Sequence, residues 1–114
     1  MARKLDHVFQ DILETIARVE EITQSKSLQD FEASWQLRWM VQRAVEIISE
    51  ASHSIPDDVA NTRAEIPWRK VRGIGNVLRH EYESVSDRIL WNVVVDELPR
   101  LKLAIKALTS TGHD

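Results

Sequence analysis

His80 is the residue of this chain whose neighbours best equip it for chemistry. It follows a basic run, and Asn76 lies one helical turn earlier on the same face. An amide in that place can orient the imidazole or hold a phosphate oxygen. Arg72 stands about 80° round the helix from His80, and the adjacent Arg79 about 100° away. A histidine beside a cationic donor is what metal-independent RNA cleavage asks for. One group takes the proton of a 2′-hydroxyl, and another stabilises the charge that grows on the phosphate. A lone helical histidine is more often structural, so these residues alone are a modest clue.

Other chemistries find less support. His7, His53 and His113 show no paired metal-ligand spacing with each other or with His80, and no His-Glu-x-x-His pattern occurs. Gly73-Ile-Gly75 lacks the third glycine and the preceding strand of a dinucleotide site. The chain has no cysteine, which removes disulfides, thiolate chemistry and Cys-based metal sites. Neither a metal nor a cofactor is expected. The net charge of −3 speaks against a generic nucleic-acid coat protein. Five of the 15 basic residues nevertheless fall between Arg63 and Arg79 (Arg63, Arg69, Lys70, Arg72, Arg79), against Glu65 alone. Such a patch can engage phosphate, although from charge alone a solvated helix face is the more usual explanation.

The elements that must carry these residues are helical. Leu5, Val8, Phe9, Ile12, Ile16, Val19 and Ile22 step by three or four and predict a helix over about 3–24. Phe31, Trp35, Met40, Ala44, Ile47, Ile48 and Ala51 predict a second over about 29–52. Ser54-Ile-Pro-Asp-Asp58 reads as a turn into a short helical piece. Pro67 sets the next boundary, before a third helix over about 68–81 that holds the candidate residues. Its Gly73 and Gly75 each cost roughly 1 kcal/mol relative to alanine and suggest close packing on another backbone, or a bent segment. Ser84-Val-Ser-Asp87 caps a fourth helix, in which Pro99 should produce a kink by removing a hydrogen bond and crowding residue 95. With no period-two alternation, the expectation is a single all-α domain over 1–114, an antiparallel bundle of four to five helices.

With 114 residues, 43% of them apolar and 29% charged, the chain suits one soluble domain. No stretch approaches the roughly 20 apolar residues of a membrane span. The first residues, Met-Ala-Arg-Lys-Leu-Asp, do not resemble a secretory leader, and a cytoplasmic location is the expectation. Trp35 and Trp39 lie on one helix face. Their spacing assigns the pair to the core, with an exposed partner surface as the alternative.

Read as blocks, the sequence resembles the HepT-like HEPN family. Glu65-Ile-Pro-Trp68, Val71-Arg-Gly-Ile-Gly-Asn-Val-Leu-Arg-His80 and Glu81-Tyr82 look like its central signature. Arg43-Ala-Val-Glu-Ile-Ile-Ser-Glu-Ala51 resembles its second-helix motif, and Ile89-Leu-Trp-Asn with Asp96-Glu-Leu-Pro-Arg-Leu101 its last helix. The resemblance spans nearly the whole chain, with the blocks in order.

That resemblance implies a homodimer with a composite cleft between the third helices. It also implies a metal-independent endoribonuclease that acts as the toxin of a type II toxin–antitoxin system. The implied partner is a minimal nucleotidyltransferase antitoxin, able in some pairs to add AMP to the motif tyrosine. Carried over, the histidine is His80, the polar residue Asn76 and the AMPylation site Tyr82. Tyr82 lies about 200° from His80, so it shares the histidine's face only if the helix ends between them. The chain departs from the pattern at Gly75, where the family carries arginine. Losing the main cationic stabiliser can cost several kcal/mol, about a thousandfold in rate. Arg72 or Arg79 is then the substitute cation. The alternative is a catalytically silent HEPN module that keeps the dimer and the antitoxin contact.

Overall fold

The computed structural model describes residues 2–110, with side chains from Leu5 onward; His113 lies outside the described residues. Within them the fold is all-helical, with no strand. Helix α1 (Ala2–Thr23) follows its predicted stripe, burying Phe9, Ile12, Ile16 and Val19 to 1% exposure or less.

The single helix expected over 29–52 is two: α2 (Leu28–Ala33) and α3 (Trp35–Ser52). Ser34 breaks it, with extended backbone (φ −124°, ψ 103°) and a hydroxyl that accepts the Leu37 N–H at 3.1 Å as the N-cap of α3. The break turns α2 so that Phe31 is fully buried, its ring centroid 5.3 Å from that of Trp91. Ser27 and Asp30 close the start of α2 in a capping box. The Ser27 N–H (2.9 Å) and hydroxyl (3.1 Å) both donate to the Asp30 carboxylate. These bonds, the backbone one first, hold the Asp30 pKa below its ordinary value. A depressed folded-state pKa means that the contribution is present above the unfolded value and lost as pH falls through the folded one. The Ser27 amide should therefore keep its cap through mildly acid pH and lose it only below the ordinary carboxylate range. An NMR titration of that amide checks this, and opening near pH 5 would contradict it.

After the Pro56 turn come α4 (Asp57–Ala60) and a 3₁₀ turn (Asn61–Arg63). Helix α5 (Trp68–Glu81) starts directly after Pro67, as predicted. Trp68 is 8% exposed and its indole N–H donates to the Arg63 carbonyl at 3.1 Å. The last rod is α6 (Asp87–Asn92), a π-helical turn (Val93–Glu97) and α7 (Leu98–Ser110). The π turn sits where Pro99 was expected to kink the helix. Proline supplies no N–H and crowds the carbonyl four residues back, and one widened turn relieves both.

Four long rods therefore form the bundle: α1, α3, α5 and α6–α7. Helix α1 packs on α3 and α7, whereas α5 rests chiefly on α3. On its other flank a cleft of about 580 Å³ separates α5 from residues 93–101. Trp35 and Trp39, assigned to the core by their spacing, are instead 60% and 62% exposed. Helix α3 has two apolar faces, and the bundle takes the one made by Leu37, Val41, Val45 and Ile48. The tryptophans lie on nearly the opposite side, packed edge-on against each other at 4.8 Å. No helix among the described residues is long and apolar enough to cross a membrane.

Candidate functional site

Helix α5 sorts its residues by face. Gly75 and Leu78 are buried toward α3, while Asn76 and His80 are exposed on the outer side. About 40° separates the latter two along one turn, so the structure brings them together as the spacing predicted. Neither side chain makes a hydrogen bond or ion pair among the described residues. Arg69 shares this outer face about three turns before His80, exposed and without an ion pair. It belongs to the basic patch but not to the family's motif, and helical angle alone is the signal that places it with His80.

The two arginines offered as substitute cations have separate tasks. Arg72 is largely covered and works as a clamp. Its Nε donates to the Ser52 carbonyl at 3.3 Å, its Nη2 to the Ile55 carbonyl at 2.9 Å, and its Nη1 meets the Asp57 carboxylate at 3.0 Å. The Ser52 carbonyl, at the end of α3, also accepts the Ile55 N–H at 3.2 Å, so the guanidinium ties the helix end to the turn that follows it. Arg72→Ala should therefore cost about 2 kcal/mol of stability, since two of its bonds are charge-assisted contacts to sheltered carbonyls. Thermal unfolding followed by circular dichroism measures this; an unchanged midpoint would deny the clamp. Arg79 is half exposed and meets Glu50 at 3.8 Å, an exposed pair that holds it only loosely. Of the two, Arg79 is the one free to turn toward a ligand.

Gly75 shows why the helix tolerates a glycine there. Its N–H donates to Ser49 Oγ at 3.0 Å, and the same hydroxyl donates to the Arg72 carbonyl at 3.0 Å. That carbonyl also accepts from His53 Nε2 at 2.7 Å, which requires the proton to be on Nε2. A Cβ at position 75 would stand 2.7 Å from Ser49 Oγ and 2.8 Å from its Cβ. This is the close helix–helix approach that the glycines suggested. Gly73, by contrast, faces open space.

Tyr82 lies just past the helix end. Glu81 leaves helical geometry (φ −140°, ψ 40°), and Tyr82–Ser84 forms a 3₁₀ turn. Arg38 pins that turn, donating to the Val85 carbonyl at 3.1 Å while paired with Asp87 at 2.7 Å. The helix thus ends between His80 and Tyr82, yet the tyrosine settles against α3. It bounds a hollow of about 270 Å³ with Trp39, Gln42, Arg43 and Glu46, and the residue is 47% exposed. Among the described residues no three His, Asp or Glu side chains gather as metal ligands.

Chemically, the outer face of α5 offers a base or acid in His80, an amide in Asn76 and a guanidinium nearby in Arg79. A family model described as "Ribonuclease HepT-like" matches residues 12–108. The chain is 38% identical over 102 residues to the "Probable ribonuclease HepT" of Thermococcus cleftensis, an alignment that covers 90% of this chain and 93% of that protein. It is 33% identical over 96 residues to a candidate RNase of Methanocaldococcus jannaschii, covering 84% and 88% of the two. A candidate RNase of Caldanaerobacter subterraneus is 32% identical over 104 residues, covering 91% and 89%. No solved structure matches significantly.

Proposed function

As the chain belongs to the HepT-like ribonuclease family of HEPN proteins, we propose that it is a metal-independent endoribonuclease, the toxin of a toxin–antitoxin pair. The observation that carries this reading is the exposed Asn76–His80 pair, neither of which is held by a hydrogen bond or ion pair among the described residues. A buried, satisfied histidine would have served structure. This one is left open on the outer face of α5, and the nearby Arg79 is held by one weak ion pair.

In the proposed reaction His80 takes the proton of an RNA 2′-hydroxyl. The 2′-oxygen bonds to the adjacent phosphorus, and the bond to the 5′-oxygen breaks. That leaving oxygen needs a proton from an acid. One chain offers a single histidine on this face, so a homodimer with facing α5 helices supplies the second. Asn76 orients the imidazole or a phosphate oxygen, and Arg79 stabilises the phosphorane-like charge. Tyr82 is exposed enough to be reached by a nucleotidyltransferase antitoxin. Its phenol oxygen would attack the α-phosphate of ATP, releasing pyrophosphate and leaving AMP on the tyrosine.

One observation favours a second reading, a catalytically silent module that retains the dimer and the antitoxin contact. Ser49 fills the space in which an arginine at position 75 would begin. Incubating the purified chain with single-stranded RNA in excess chelator separates the two readings. Fragments ending in 2′,3′-cyclic phosphate are expected; intact RNA at stoichiometric protein would leave the silent module.

A further inference from the structure

We propose that the groove between α1 and α3 docks a basic amphipathic helix of a partner protein. The groove has a volume of about 1200 Å³ and is lined by α1 between residues 11 and 22, by α3 between residues 39 and 51, and by Arg79. Its α3 wall is the apolar face that the bundle leaves unused: Trp39, Met40 and Ile47 are 62%, 48% and 38% exposed. Trp35, edge-on to Trp39, braces that ring. Small or aliphatic residues, Ala44 and Ala51 from α3 and Ile22 from α1, give the groove its depth. Two adjacent helices with an apolar floor between them are shaped to take a third, and an exposed tryptophan is the kind of anchor that dominates such contacts.

Charge selects the occupant. On the α3 side Glu46 pairs with Arg43 at 3.5 Å and Glu50 with Arg79 at 3.8 Å, so that wall is neutral. On the α1 side Asp11, Glu14 and Glu21 stand against Arg18 alone, and none of the four makes an ion pair among the described residues. The uncancelled charge is negative and lies along one edge. A helix with an apolar stripe toward α3 and lysines or arginines toward α1 satisfies both walls. RNA phosphate would be repelled by that edge. A second copy docked on the same face about a two-fold axis across the groove would set the acidic edges against each other. A docked helix would also cover Arg79, and only this consequence rests on the nuclease reading.

The test uses the full-length protein and two fluorescently labelled synthetic helical peptides of equal length, one Lys/Leu and one Glu/Leu amphipathic, read by fluorescence anisotropy. The Lys/Leu peptide should bind and the Glu/Leu peptide should not. Trp39→Ala should weaken binding by about tenfold or more. Reversing the edge (Asp11→Lys, Glu14→Lys, Glu21→Lys) should invert the preference, whereas the control pair Asp58→Lys and Glu83→Lys should change affinity little. Equal binding of both peptides, indifference to Trp39→Ala, or an equal response to the control pair would overturn the proposal. So would a mass doubling in sedimentation that Trp39→Ala abolishes, which would give the face to a second copy, or competition by an RNA oligomer for the peptide. Because binding is read without cleavage, an inactive nuclease would leave this result standing.

Discussion

His80→Ala is expected to lower RNA cleavage by about a hundredfold to ten-thousandfold, the usual contribution of a positioned proton-transfer group, while leaving the fold intact. Both halves of this expectation come from the same geometry. The imidazole is exposed and makes no bond within the described chain, so its removal opens no cavity and orphans no donor. Exposed substitutions of this kind usually change stability by less than about 0.5 kcal/mol. The measurements are a cleavage rate on single-stranded RNA and a thermal melt of the same preparation. Undiminished cleavage would remove His80 from the reaction. A large drop in melting temperature would show instead that its role is structural. Arg79→Ala is the companion variant. If its guanidinium supplies the transition-state charge, it should lose a comparable share of rate with the melt unchanged, since the ion pair it gives up is weak.

The second large effect concerns Gly75. Gly75→Arg alone should destabilise the protein by about 2–3 kcal/mol, the usual scale of overpacking at a buried contact. The new Cβ meets Ser49 Oγ and Cβ at 2.7 and 2.8 Å, and the displaced hydroxyl gives up its bonds to the Gly75 N–H and the Arg72 carbonyl. Combining Ser49→Gly with Gly75→Arg removes both obstacles, leaving the Glu46 carbonyl at an ordinary 3.5 Å. The Arg72 carbonyl keeps its donor in His53. The double variant should therefore recover much of the lost stability and cleave RNA faster than the wild type, by up to about a thousandfold. Ser49→Ala with Gly75→Arg is the control: its Cβ still obstructs, so it should not recover. Rescue by alanine as good as rescue by glycine would refute the steric account. A stable double variant that cleaves no faster would mean that an arginine at 75 adds nothing to this site.

Much of this was legible along the chain. The period of the apolar residues in α1, the proline before α5 and the capping serine before α6 are local signals, and local backbone physics acts on them wherever the chain goes. The Asn76–His80 pairing belongs to the same class, because one helical turn joins them whatever surrounds the helix. The break at Ser34 was missed because the apolar stripe continues across it. What bends the chain there is the burial of Phe31 against Trp91, a residue sixty positions later. Helix α3 offers two apolar faces, and periodicity cannot say which one neighbouring helices will cover; Trp35 and Trp39 ended outside for that reason. Arg72 and Arg79 show the limit most clearly. They are seven residues apart and lie within about 20° of each other on the helix, so no reading of α5 alone can separate them. The turn that leaves α3 passes beside Arg72 and gives it carbonyls to hold, and no such turn reaches Arg79. Local signals along the chain set the helices, the break at Ser34 apart, and the histidine face. Which arginine stays free, and why residue 75 has no room for one, was decided only by how α3 and its following turn lie against α5.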